Sequence, residues 1–80
     1  MNLQEAKELK RGNILVPNLD QVEYFNKGGK NRDGSLMRFK VTSIKTWKRN
    51  PNRIQIGLSR GLYEHYKIDE SEIMHFNKQS

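Results

Sequence analysis

The sequence predicts a mainly β domain: a small five-stranded barrel with a short N-terminal helix and a one-turn helix before the last strand. Three observations carry this. Met37, Phe39 and Val41 alternate with Arg38, Lys40 and Thr42, and Ile54, Ile56 and Leu58 alternate with Arg53, Gln55 and Ser59. That period of two marks strands with one apolar face. The apolar runs are also short and divided by Gly, Pro and Asn, which is turn chemistry. Finally, the chain has 80 residues, 34% of them apolar, which suits one small domain with a thin core. Closing five short strands into a barrel removes the exposed edges such a sheet would otherwise carry.

The elements follow in order. Asn2-Leu3-Gln4-Glu5 has capping-box spacing, and Leu3, Ala6 and Leu9 fall on one face of a two-turn helix. Lys10 and Arg11 suit its carboxyl end, and Gly12 stops it. Asn13-Ile14-Leu15-Val16 reads as a strand ended by Pro17-Asn18, and Leu19 to Phe25, with Val22 and Tyr24, reads as a second, irregular strand. Residues 26–35 contain no apolar side chain and three glycines, the composition of a flexible loop.

Leu36 to Trp47 is the strongest strand signal. Ile44 breaks its alternation, which predicts a bulge or bend near Thr42-Ser43. Lys48-Arg49-Asn50-Pro51-Asn52 turns the chain into Ile54–Ser59, so residues 36–59 form a hairpin. Arg60-Gly61 turns into a strand over Leu62–Ile68. Asp69-Glu70-Ser71-Glu72 reads as one capped helical turn, and Ile73–Phe76 as a closing strand. The whole chain, 1–80, is therefore one domain: helix within 1–11, barrel over 12–76, tail at 77–80.

This layout resembles the Src-homology-3-like small barrels. The likeness lies in the opening Leu9-Lys10-Arg11-Gly12-Asn13-Ile14-Leu15, the bent strand through Phe39-Lys40-Val41, and the end Ile68-Asp69-Glu70-Ser71-Glu72-Ile73. The resemblance implies a first strand entered through a Lys-x-Gly-Asp-like turn, here with Asn13 in place of the acid, and a single helical turn joining the last two strands. Thr46-Trp47-Lys48-Arg49-Asn50-Pro51-Asn52-Arg53 followed by Gly61-Leu62-Tyr63 is also similar to small proteins of phages and mobile elements, a likeness that carries no activity with it.

Several functions drop out. There is no cysteine, hence no disulfide framework, zinc knuckle or thiol nucleophile, and a reducing cytoplasm is the expected compartment. No apolar run approaches the roughly 20 residues that span a bilayer, and the N-terminus lacks the basic start and apolar stretch of a signal peptide. Gly28-Gly29-Lys30 lacks the spacing and following helix of a phosphate loop. His65 and His75 without clustered partners read as ordinary strand residues, and Asp69, Glu70 and Glu72 as a surface turn. No metal, cofactor or enzyme chemistry is expected.

Charge is the informative quantity. The chain carries +6, and residues 24–63 hold ten basic side chains against one acid, Asp33, so that segment carries +9 and the flanks −3. A field so segregated attracts polyanions over a Debye length of roughly 8–10 Å. The expected binding surface comprises Arg38, Lys40, Lys45, Trp47, Lys48, Arg49, Arg53, Arg60 and Tyr63, with Lys27, Lys30 and Arg32 on the loop. Trp47, among cations, fits two roles: a base-stacking platform, or a lid over the barrel's end with lysine methylenes packed on it. The expectation is a non-enzymatic module, monomer or weak dimer, that binds DNA or RNA largely through phosphates. The alternative is a protein-binding module, such as a small phage-type inhibitor or accessory subunit, docked on an acidic surface.

Overall fold

The computed structural model describes residues 1–79, with the side chains of Val22 and Asn26 outside that description; Ser80, at the end of the expected tail, also lies outside it. The protein is mainly β: helix α1 (Leu3–Lys7), strands β1 (Ile14–Pro17), β2 (Phe39–Trp47), β3 (Asn50–Arg60), β4 (Glu64–Asp69) and β5 (Phe76–Lys78), and three short 3₁₀ pieces. All strand pairs are antiparallel, in one open sheet of order β4-β3-β2-β1-β5. Consecutive strands β2 to β4 form a meander, and β5 returns to the free side of β1. Among the described residues no ladder joins β4 to β5.

The helix starts as its sequence dictates but ends at Lys7, short of the two turns to Lys10-Arg11 and the Gly12 stop expected from the sequence. Asn2 Oδ1 accepts from Glu5 N at 2.8 Å and Glu5 Oε1 accepts from Asn2 N at 3.0 Å, so both orphan donors are satisfied reciprocally. Only five residues long, α1 depends on docking. It buries Ala6 in the core with Leu3 half-buried beside it, and Leu9, just past its carboxyl end, is buried as well.

Strands β2 and β3 supply most of the core. Phe39, Val41, Ile54, Ile56 and Leu58 are buried, joined by Leu15 of β1, Ile68 of β4, and Ile73 and Phe76 near the C-terminus. The register shifts between Val41 and Ser43, where Ile44 breaks phase. Gly57 makes room for this bulge: a Cβ there would press on Ser43 Oγ and lie 2.9 Å from Thr42 Oγ1.

Several segments differ from the sequence expectation: β2 starts at Phe39 and not at Leu36, the turn after it is Lys48-Arg49 with Asn50-Pro51-Asn52 already in β3, and β4 starts at Glu64 and not at Leu62. Leu19–Tyr24 is a kinked 3₁₀ piece and not a strand. Asn18 explains it: its Oδ1 accepts from Asp20 N at 3.0 Å, and its backbone N and Nδ2 donate to His75 O and Met74 O. An Asx turn thus starts a local coil that ties this segment to the C-terminal one. Residues 26–35 have defined local structure: a 3₁₀ piece at Asn26–Gly29, a bridge between Lys30 and Leu36, and Met37 N donating to Gly29 O at 2.8 Å. The last strand starts at Phe76 and not at Ile73, because Pro17 of β1 pairs with Phe76, and Ile73–His75 coils ahead of it.

Candidate nucleic-acid interface

Strand register sorts the cations between two faces. Residues directly opposite in a sheet share a side. Lys40 stands opposite Ser59, which stands opposite His65; Ser43 and Lys67 both oppose Gly57; Lys45 and Asp69 both oppose Gln55. Lys40, Lys45, Arg53, His65 and Lys67 are all exposed on this outer face. The partners of the buried core, Phe39, Val41, Leu58 and Ile56, lie on the other.

Trp47 continues the outer face beyond Lys45. It is half-buried, with the Arg53 guanidinium 4.0 Å and Lys45 Nζ 5.0 Å from the ring centroid. Two cations on one indole are attracted by its quadrupole, at about 0.5–1 kcal/mol each at exposed sites. The ring therefore biases Lys45 and Arg53 towards positions next to the exposed Lys48-Arg49 turn. Lys7 of α1 and Pro51 line a shallow hollow with Trp47. At the other end of the face, Arg11 and Lys40 line a second hollow with Thr42 and Ser59.

The structure thus brings together Lys40, Lys45, Trp47, Lys48, Arg49 and Arg53 of the expected set. Arg38 is exposed just ahead of β2. Arg60 is elsewhere: in phase with Leu58 and opposite Glu64, it lies on the inner side, at 3.8 Å from Glu64 Oε2 and with Nη1 3.2 Å from Met37 Sδ. Tyr63, 91% exposed, projects from the β3–β4 turn. That turn is ten residues of β3 from the Trp47 end, roughly 30 Å along the strand at about 3.3 Å per residue. Lys27, Lys30 and Arg32 are exposed on the 26–35 segment. Arg11, His65 and Lys67 join the outer face without having been expected there. The alternation of His65 and Lys67 about Tyr66 was the available signal, but it needed the β3–β4 register to be read.

The acids of the 69–72 turn are engaged structurally. Asp69 Oδ1 accepts from Ser71 N at 2.8 Å and from its hydroxyl, and these bonds hold the carboxyl below its ordinary range. Glu70 Oε1 accepts from Ile54 N at 3.0 Å. Glu72 accepts from Asp69 N and from the Tyr24 hydroxyl; the latter bond, then burial, pushes that phenol up to about 12. Among the described residues no three His, Asp or Glu side chains cluster as a metal site, and no helix is long and apolar enough to cross a membrane.

Comparison with family models, with curated proteins and with solved structures returned no match.

Proposed function

We propose that the protein is a non-enzymatic nucleic-acid-binding module that engages phosphates through the outer face of its sheet, with little sequence readout. The observation that carries this is the face itself: Lys40, Lys45, Arg53 and Lys67 are exposed on one side of three paired strands, extended by Lys48 and Arg49, with Asp69 at one corner. Such an array neutralises a backbone and releases its counterions. Trp47 serves first as the support that positions Arg53 and Lys45. A base stacks there on the outer plane of the Arg53 guanidinium, or on the ring once that guanidinium swings to a phosphate. The strand order and the bulged β2 also support the finer fold reading, a partly open barrel similar to the Src-homology-3-like ones.

The test is binding of labelled single- and double-stranded DNA and RNA at about 50 and 200 mM salt. Six phosphate contacts give a slope of about −4 for single strands, an affinity loss of about 300-fold over that range. Replacing Arg49 and Arg53 by Ala should lower the slope by about 1.4. Salt-independent affinity overturns the proposal.

One observation favours a second reading, a protein-binding module. Leu62 and Tyr63 are 83% and 91% exposed side by side on the β3–β4 turn, the kind of aromatic-apolar anchor that protein interfaces use. A stoichiometric protein complex lost in Tyr63→Ala, without nucleic-acid binding, would select it.

A further inference from the structure

We propose that the aromatic cleft at the open seam of the sheet, between β4 and the β1–β5 pair, receives one unstacked base of a single-stranded nucleic acid, with its phosphate on Arg60. This rests on the nucleic-acid reading above and adds the strandedness of the ligand and a second subsite, on the face opposite the basic one.

The cleft has a volume of about 400 Å³. Its existence follows from topology: at the seam that no ladder closes, the exposed rings of Tyr24 and Tyr66 flank the buried Phe39 and Phe76 of the core. Phe39, Phe76 and Phe25 line it, interlocked edge-to-face or tilted, with Phe39–Phe76 and Phe25–Phe76 centroids 5.4 and 5.2 Å apart. Tyr66 of β4, 43% exposed, stands on one side with its ring 5.9 Å from Phe39, and Tyr24 on the other, 5.0 Å from Phe25. Both tyrosine hydroxyls donate to carboxylates, Tyr66 to Glu64 and Tyr24 to Glu72, which fixes how the rings stand. The walls are therefore preset planes and edges, which suit a flat π-system better than a branched aliphatic side chain.

Charge names the rest of the occupant. Arg60 and Lys67 line the same cleft. Arg60 has a thioether, a weak acceptor, at 3.2 Å and a carboxylate at 3.8 Å, which leave most of its five N–H donors for an incoming anion. Two carboxylates stand beside these cations and keep their charge: Glu64, which accepts from Tyr66 and lies 3.8 Å from Arg60, and Glu72, which accepts from Tyr24 and from Asp69 N. The cleft therefore holds its anion through the free N–H donors of Arg60 and not through an excess of charge. A nucleotide presents this combination, a flat ring joined to an anion, and fits the basic outer face next to the cleft. A base inside a duplex has both faces covered by its neighbours, so the ligand is a single strand whose base is splayed out. Lys67 connects the two sites, since its register puts it on the outer face while it also borders the cleft. A strand lying on the basic face reaches the cleft by passing over the β4 edge.

The experiment uses the whole protein and single strands carrying one 2-aminopurine, beside the matching duplex. The expected result is quenching of that base on binding. Tyr66→Leu and Arg60→Gln should each weaken single-strand affinity about tenfold, the scale of one stacked base, and leave duplex affinity unchanged. Tyr66 is half out in solvent on an edge strand, so Tyr66→Leu keeps the fold, and unchanged thermal unfolding of both variants verifies this. Unquenched fluorescence, or single-strand affinity indifferent to both variants while Arg53→Ala still weakens it, overturns the cleft and leaves the basic face standing. Failure of any nucleic acid to bind overturns both.

Discussion

Gly28 and Gly29 offer a matched pair of substitutions that measures how firmly the 26–35 segment is docked on the sheet. Both have left-handed backbone, at φ +66 and +75. An alanine at either position meets the left-handed penalty of about 1–2 kcal/mol, offset in part by about 0.4–1 kcal/mol from a stiffer unfolded chain. There the similarity ends. A Cβ on Gly28 would have nothing within 4 Å, whereas one on Gly29 would lie 2.7 and 2.9 Å from Cγ and Cβ of Pro17. Pro17 is a buried ring paired with Phe76 across β1 and β5, so it cannot swing aside. Overpacking of this kind adds about 1–3 kcal/mol. Gly28→Ala should therefore cost about 1 kcal/mol and Gly29→Ala about 3 kcal/mol, against a total near 4–12 kcal/mol for a domain of this size. Denaturant unfolding followed by the single tryptophan, Trp47, reads both. Shortening the proline in a Pro17→Ala background should recover most of the difference, as a double-mutant cycle between contacting residues. Equal costs for the two glycines, within about 0.5 kcal/mol, would refute the docking of this segment.

Three further outcomes are expected. Tyrosinate absorbance should show one phenol titrating near 12, that of Tyr24, and Glu72→Gln should bring it down; since the folded value lies above the unfolded one, this stabilisation is complete below about pH 10 and fades as pH rises through about 12. Asp69 has the opposite sign: the Ser71 hydroxyl and backbone N–H lower its carboxyl, so its contribution is present above about pH 4 and lost as pH falls further, and Ser71→Ala should shift acid unfolding to higher pH. Asn2→Ala removes the helix cap and should cost about 1 kcal/mol by denaturant unfolding, with Glu5→Ala showing a non-additive loss, because the two bonds are reciprocal.

What could be read in the sequence was whatever is decided locally. The Asn2–Glu5 box and the Ile44 phase break each depend on residues within a few positions, and each appears where the residues put it, whereas the expected Lys48–Asn52 turn shrinks to Lys48-Arg49 because Asn50 already pairs with Trp47. The apolar residues of Leu19–Tyr24 suggest a strand, but Asn18 decides that segment through its Asx turn and through bonds to Met74 and His75, more than fifty residues away. Arg60 is a different case. Its charge suggests the outer face, yet Leu58 is buried and Arg60 is in phase with it, so alternation puts it on the inner side. The aromatic cleft had no local signal. Tyr24, Phe39, Tyr66 and Phe76 come from four separate segments, and only the return of β5 beside β1 places their rings together.

The basic face depends on one extra residue. Val41 faces the core, so uninterrupted alternation along β2 would turn Ser43, Lys45 and Trp47 inward with it and send Ile44 to solvent. The register shift between Val41 and Ser43 reverses that phase: Ile44 pairs with buried Ile56, and Lys45 and Trp47 emerge on the same side as Lys40. Gly57, opposite the shift, is the residue that tolerates it, since the Thr42 and Ser43 hydroxyls occupy the space a side chain would need. The bulge also bends β2, and the bent sheet encloses Phe39 against Phe76 while β4 and β5 stay unpaired. The shift at Val41–Ser43 thus sets the cationic face on one side, and the strand order leaves the aromatic seam on the other. Restoring regular pairing at Val41–Ser43 would abolish the first by burying its lysine and tryptophan, before any charge had been changed.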